Sequence, residues 1–172
     1  ALAVVLGYSY TKRFTFLCHF VLGLGLSLAP IGAYLAVTGR FDMLPLLYSA
    51  VVLCWVAGFD IIYALQDEEF DKSNELYSLP VWLGKKQALR LSEWLHGIAA
   101  VLVLVAGYYM SISLPSLQWL HWLAAAFFIG LLYYQHTLVK PNDLSRVNLA
   151  FFTTNGIASL VFGALVIADL YF

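Results

Sequence analysis

Residues 60–71 read DIIYALQDEEFD and hold Asp60, Asp67, Glu68, Glu69 and Asp71, five of the ten acidic side chains in the chain. They follow directly on an apolar run, MLPLLYSAVVLCWVAGF. If a helix continues from that run to Asp71, then at ~100° per residue Asp60, Asp67 and Asp71 fall within ~40° of one another. Tyr63 and Ala64 lie near that stripe, Glu69 points roughly the opposite way and Glu68 sits to one side. The aspartates therefore share a face, and the glutamates are expected to be solvated or orienting groups. Asp67 and Asp71 stand one turn apart, ~6 Å along the axis, so both can reach one or two hard cations. Mg²⁺ takes one or two carboxylates and fills its shell with water and phosphate oxygens, so this spacing at a membrane surface suits a Mg²⁺–diphosphate. Asp60 lies about two turns deeper. An ionisable side chain at that depth is a functional candidate by default.

A second cluster lies upstream. Residues 8–13 read YSYTKR, with Tyr8 and Lys12 at i, i+4 and Arg13 adjacent. Lys and Arg are natural diphosphate partners, and bases on the same membrane face would neutralise a polyanion from a second side. The bland alternatives are a basic span flank and a solvated acidic loop. Other polar residues carry weaker signals. Glu93-x-x-His96 has the spacing of a di-iron helix, but no second such motif exists, so a polar pair near a helix end is expected. His19, His121 and His136 stand isolated in the sequence and read as packing or interface residues. Thr153, Thr154 and Asn155 read as interhelical hydrogen-bonding residues, with a cavity-lining role as the alternative for Asn155. Cys18 and Cys54 sit in apolar runs without metal or redox spacing.

These residues must be positioned by membrane helices. The chain has 172 residues, 62% hydrophobic and 11% charged; a soluble domain carries about 25% charged residues. Runs of ~20 apolar residues mark spans, here Phe14–Val37, Met43–Leu65, Ser92–Ile112, Leu117–Val139 and Val147–Leu170. A short apolar piece, ALAVVLG, precedes them. The runs lack the period-two alternation of an outer-membrane barrel. The predicted fold is thus all-α, a multi-pass transmembrane bundle in the lipid bilayer. Residues 1–172 form one domain, expected to be the C-terminal part of a longer protein. Cations alternate between loops: Lys12 and Arg13; then Arg40; then Lys72, Lys85, Lys86 and Arg90; then none; then Lys140 and Arg146. The positive-inside rule places the first, third and fifth of these loops, and so both clusters, in the cytoplasm. No nucleic-acid partner is expected.

Within the first full span, Gly23, Gly25, Ala29, Gly32, Ala33 and Ala36 predict close helix packing, and Pro30 predicts a kink. Ala124–Ala126 are expected to pack similarly, and Asn142 or Asp143 to cap the last helix. The long loop 66–91 contains SNELYSLPVWLG, rich enough in apolar residues to fold over the cytoplasmic mouth of the bundle.

D-x-x-Y-A-x-x-D-x-x-x-D, carried by Asp60, Tyr63, Ala64, Asp67 and Asp71, resembles the second aspartate-rich motif of the UbiA superfamily of intramembrane prenyltransferases. Tyr8-x-x-x-Lys12-Arg13 resembles that family's YxxxK(R) motif, and YYQHTLVKPNDLSRVNLAFFTTNG its 4-hydroxybenzoate polyprenyltransferase branch. The resemblance covers essentially the whole chain. It implies a nine-helix transmembrane fold around a central cavity, of which about five spans stand here. It implies a Mg²⁺ cofactor and transfer of a prenyl group from a polyprenyl diphosphate to an aromatic acid, with 4-hydroxybenzoate the expected acceptor. The setting would be ubiquinone or menaquinone biosynthesis in a bacterial inner membrane. Carried over, Asp67 and Asp71 would be catalytic metal ligands, and Tyr8, Lys12 and Arg13 would bind diphosphate. Asp60 would be a catalytic residue of the cavity wall, and Tyr63 and Asn155 would line the cavity. Phe151, Phe152, Tyr133 and Tyr134 could wall a prenyl chain or anchor span ends. The family's first motif, N-D-x-x-D-x-x-x-D, has no counterpart in this sequence, so these residues by themselves are expected not to catalyse. Homogentisate, haem and archaeal-lipid branches remain open, as does a small transporter or channel using Asp60, Asp67 and Asp71 as a cation path.

Overall fold

The computed structural model describes residues 2–171. It forms α1 (Leu2–Thr11), α2 (Cys18–Thr38), α3 (Met43–Ala64), α4 (Glu68–Ser73), α5 (Leu79–Leu83), α6 (Lys85–Ser113), α7 (Leu120–Leu138) and α8 (Thr154–Tyr171). A 3₁₀ turn, Leu65–Asp67, joins α3 to α4, and a π turn, Leu149–Thr153, leads into α8. The backbone between residues 2 and 171 is helical apart from turns and one isolated bridge, Lys140 to Asp143.

Four segments are long and apolar enough to cross a membrane: Cys18–Thr38, Met43–Ser73, Lys85–Ser113 and Leu149–Tyr171. The fifth expected span, Leu117–Val139, does form a helix, α7, of 19 residues. His121, Gln135 and His136 interrupt its apolar surface, and it is embedded by packing against α6 and α8. The helix over Ser92–Ile112 begins earlier than expected, at Lys85, because Gly84 adopts a φ of 78° and turns the chain straight out of α5.

The end of α2 is set by Gly39, whose left-handed φ of 69° lets its N–H reach the Leu35 carbonyl. Asp42 then caps α3, accepting from the Met43 amide at 2.7 Å, and the Tyr34 hydroxyl donates to its other oxygen at 3.0 Å. The Met43 amide and the Tyr34 hydroxyl hold the Asp42 carboxyl below its ordinary range. This double use of Asp42 locks the α2–α3 hairpin.

Glycine and serine bring the central helices together. A Cβ on Gly23 would stand 2.7 Å from the Leu53 carbonyl oxygen, so α2 and α3 touch backbone to side there. The rest of the small-residue stripe does not pack this way: nothing stands within 4 Å of a Cβ built on Gly32, and Ala29, Ala33 and Ala36 are exposed. On the other side of α3, Ser92 donates to the Gly58 carbonyl at 2.7 Å. A Cβ on Gly58 would lie 2.4 Å from the His96 ring. One buried cluster fills the space between α3, α6, α7 and α8 around Val51, Val103, Phe128 and Ala158. A second, around Ile61, Leu65, Leu79, Leu138 and Val147, binds α5 and the 139–147 turn to the C-terminal end of α3.

The far ends of α7 and α8 are joined by Asp169. Its carboxylate accepts from the amides of Gln118, Leu120 and His121 at 3.2, 3.0 and 3.1 Å, and lies 2.6 Å from His121 Nδ1. His121 is therefore a partner of a buried acid and not an isolated residue. Neither Asn142 nor Asp143 caps the last helix. Asp143 accepts from the Ser145 amide and hydroxyl at 3.1 and 2.6 Å, closing a turn four residues short of the π turn. The Ser145 hydroxyl and amide hold its carboxyl below the usual range.

Candidate active site

The carboxylates gather where α3 ends. The 3₁₀ turn at Leu65–Asp67 breaks the continuous α-helix on which the shared-face expectation rested. A 3₁₀ turn advances ~120° per residue and not ~100°, so α4 is rotated roughly 60° further than a straight helix would bring it. The consequence is a division of labour. Asp71 turns inward and is 1% exposed, whereas the Asp67 side chain keeps 40% of its surface open. Glu69 points to solvent, as its spacing implied. Glu68 is an orienting group: it pairs with Lys72 at 2.5 Å and Lys85 at 3.8 Å, tying α4 to the start of α6.

Of the upstream basic cluster, one member reaches the acids. Lys12 Nζ lies 3.2 and 3.1 Å from the two Asp71 oxygens and 4.0 Å from Asp67. Lys12 falls just past the end of α1, where the chain turns toward α2, and this turn carries it across to α4. Arg13 faces elsewhere, its Cζ 5.9 Å from the centre of the Tyr10 ring. Tyr8 is 38% exposed, and its carbonyl accepts from the Thr11 hydroxyl. Among the described residues no hydrogen bond joins Tyr8 or Arg13 to the carboxylates.

Asp60 has a partner that sequence spacing did not reveal. His19, fully buried in the first turn of α2, places Nδ1 2.6 Å from Asp60 Oδ2. Its Nε2 accepts from the Leu79 amide at 3.4 Å. The loop after α4 is the source of that amide and, as expected, folds over this end of the bundle. Its segment 76–79 follows Glu75, which takes a left-handed φ of 55°. The Leu76 amide donates to the Asp71 carbonyl at 2.8 Å, and the Tyr77 amide to the Lys12 carbonyl at 2.6 Å. Trp82 then stacks on Phe16 at 4.1 Å. The signal for His19 was present in the sequence as an ionisable residue inside an apolar run; its partner, 41 residues away, was not.

An aromatic run leads from the acids into the bundle. Tyr63 packs on Phe151 at 4.3 Å, Phe151 on Phe59 at 5.3 Å, Phe59 on Trp55 at 5.7 Å and Trp55 on Phe128 at 5.1 Å. The π turn makes this possible, because it swings Phe151 and Phe152 together onto Tyr63. At its inner end the run meets an apolar cavity of about 760 Å³, lined by Pro30, Tyr34, Tyr48, Trp55, Phe128 and Phe162 among others. This cavity is separate from the carboxylates: Trp55 lies twelve residues before Asp67, ~18 Å along the helix at 1.5 Å per residue.

Asn155 does not line that cavity. Its Oδ1 accepts from the Trp55 indole at 3.1 Å and from the Gln135 amide, and its Nδ2 donates to the Phe151 carbonyl at 2.7 Å. It is a junction of α3, α7 and α8. Tyr63 is likewise outside the cavity and belongs to the aromatic run. His136 is not isolated either: its Nε2 is 2.8 Å from Nδ1 of His96, the histidine read with Glu93, across α6 and α7.

Among the described residues no group of three or more His, Cys, Asp or Glu side chains is arranged to hold a metal ion. The pair Asp67 and Asp71 still fits a hard cation that takes one or two carboxylates and draws its other ligands from phosphate and water. Asp67 has open oxygens, and Asp71 shares both of its oxygens with Lys12.

Comparison with known proteins fits this arrangement. The model of the UbiA prenyltransferase family matches residues 1–157. The chain is 29% identical over 164 residues to the 4-hydroxybenzoate octaprenyltransferase of Aliivibrio salmonicida, covering 94% of this chain and 55% of that one. It is 32% identical over 133 residues to the protein of the same name from Polaromonas sp., covering 72% of this chain and 46% of the other. The chain thus spans about half the length of these relatives. The structure of a UbiA homologue from Aeropyrum pernix K1 superposes with a TM-score of 0.82 at 31% identity, over 98% of this chain and 61% of that one. With the family model matching most of the sequence and the helices superposing along nearly all of it, the chain belongs to the UbiA prenyltransferase family.

Proposed function

We propose that this chain is part of a Mg²⁺-dependent prenyltransferase that moves a polyprenyl group from its diphosphate to an aromatic acid, with 4-hydroxybenzoate as the acceptor. The observation that carries the reading is Lys12, held between the buried Asp71 and the open Asp67 where an apolar bundle ends. The relatives named as 4-hydroxybenzoate octaprenyltransferases support the choice of acceptor. The expected setting is a bacterial inner membrane, with this end of the bundle facing the cytoplasm, where the cation-rich loops lie.

Asp67 and Asp71 would hold Mg²⁺, which supplies neutralisation of diphosphate charge when bound. Lys12 stands where its ammonium can donate to diphosphate oxygens while still paired with Asp71. Arg13 is exposed and free to swing from Tyr10 toward the same anion. With the anion stabilised, the allylic C–O bond breaks and its electron pair leaves with the diphosphate oxygen. The allylic carbon is left electron-poor, a charge that the aromatic run through Tyr63 and Phe59 would stabilise. A ring carbon of the acceptor forms the new C–C bond, and the proton lost from that carbon passes to a carboxylate, the role assigned here to Asp60. The apolar walls exclude the water that would otherwise capture the cation.

Catalysis is assigned to the longer protein, because the family's first aspartate motif is not among these residues. The experiment is prenyl transfer by the full-length protein in membranes, with and without a chelator. Transfer that survives chelation would sink the metal-dependent reading, and transfer by the purified 172-residue piece alone would sink the assignment to the longer protein.

A further inference from the structure

The Leu79 amide can only donate, so the Nε2 of His19 that it meets carries a lone pair and no proton. The ring proton therefore sits on Nδ1 and is donated to Asp60 Oδ2 at 2.6 Å. His19 is 0% exposed, so this orientation is enforced by packing on every side. The Asp60 side chain keeps 22% of its surface open, and its second oxygen has no hydrogen-bond partner among the described residues. One carboxylate oxygen is thus fixed and the other is left uncommitted.

The amide that fixes the histidine belongs to segment 76–79. That segment also takes the Lys12 carbonyl through Tyr77, the Asp71 carbonyl through Leu76 and the Cys18 thiol through the Tyr77 carbonyl, at 2.6, 2.8 and 3.7 Å. Leu76, Tyr77 and Leu79 thus touch the backbone of the buried acid, the backbone of the lysine and the ring that orients the deeper acid.

We propose that His19 is a positioning residue: held by the Leu79 amide, it sets the Asp60 carboxylate and couples its orientation to the docking of segment 76–79 over the site. This rests on the prenyl-transfer reading above, with Asp60 serving the acceptor side and Lys12, Asp67 and Asp71 the diphosphate side. Removal of the ring should then be felt more strongly by the acceptor than by the diphosphate.

The test uses His19→Leu, His19→Gln, Asp60→Asn and the double variant His19→Leu/Asp60→Asn in the full-length protein. Leucine fills the space with neither donor nor acceptor. A glutamine amide can donate to Asp60 and accept from Leu79. His19→Leu should lower kcat/KM for the aromatic acid about 10- to 100-fold, the scale of a hydrogen bond to a charged group, and change KM for the prenyl diphosphate much less. His19→Gln should recover most of that loss. The double variant should be no worse than Asp60→Asn alone. Hydrogen exchange across residues 76–83 should quicken in His19→Leu and return toward the parent rate in His19→Gln. The proposal is overturned if Gln rescues no better than Leu, if the two losses add, or if exchange in the segment is indifferent to residue 19. A wild-type protein without prenyl transfer would overturn the functional reading instead, and the exchange measurement would still decide the coupling.

Discussion

Two Asp–His pairs stand at opposite ends of the bundle, each with a 2.6 Å contact between the carboxylate and Nδ1. They differ in everything around that contact. Asp169 is 1% exposed and receives three backbone amides in addition to His121. Every oxygen is engaged, and the carboxylate serves as a cap that holds α7 to α8. Asp60 is more open and has one oxygen engaged, and it lies on α3 about two turns before Asp67, which pairs with Lys12. A saturated carboxylate holds a fold together. An unsaturated one beside a cluster of charge is available for chemistry. The contact alone does not separate the two roles; the count of remaining partners does.

The contrast can be broken most sharply at the acids themselves. Asp67→Ala and Asp71→Ala in the full-length protein should each reduce prenyl transfer by at least about 10³-fold, given that single electrostatic groups at such sites are worth 10²–10³ and these two act together. Membrane insertion, read by protease protection, should persist. Next in size is Lys12→Met, with an expected loss of about 10²-fold, set against a much smaller loss for Arg13→Met, which touches Tyr10 and not the acids. Equal losses at the two positions would remove the distinction drawn from their contacts.

The saturated pair should answer on a different axis. Asp169→Ala leaves three amides at and just before the start of α7 without their acceptor and should cost about 1–2 kcal/mol of stability, the scale of a lost helix cap. Turnover per folded molecule should stay near the parent value. A thermal melt in detergent checks the first expectation and a single-turnover assay the second. The smallest effect belongs to Glu69→Gln, which should stay within about twofold because the side chain is solvated and surface charge contributes little. A loss there comparable to that at Asp67 would contradict the inward turn of α4.

Much of this architecture was readable from the sequence. Runs of apolar residues placed α2, α3, α6 and α8, and the alternation of lysine and arginine between loops marked one end. The acids and Lys12 were found by spacing alone, and their meeting across 59 residues agreed with both being at that end. The failures have physical causes. A 3₁₀ turn of three residues leaves no mark in a hydrophobic pattern, yet it decides which aspartate is buried. Histidine pairing depends on helices packed side by side, so His19, His121 and His136 looked solitary in one dimension and His96 looked paired with Glu93. For Asn155 the interhelical hydrogen bond read from a polar side chain in an apolar helix is the one found, and the indole of Trp55 is its partner. Of the small-residue stripe in α2, Gly23 meets α3 closely, and Gly32 meets nothing among the described residues.

Trp55 joins these regions. Its indole N–H is committed to Asn155, its carbonyl accepts from His96 at 3.2 Å, and its ring forms part of both the aromatic run and the cavity wall. The other tryptophans, Trp82, Trp94, Trp119 and Trp122, are 60%, 74%, 61% and 38% exposed and none lines the cavity. The molecule therefore carries its own optical probe. Filling or emptying the cavity changes the polarity around one indole whose orientation is pinned, so a shift in intrinsic emission that disappears in Trp55→Phe reads cavity occupancy without any added label.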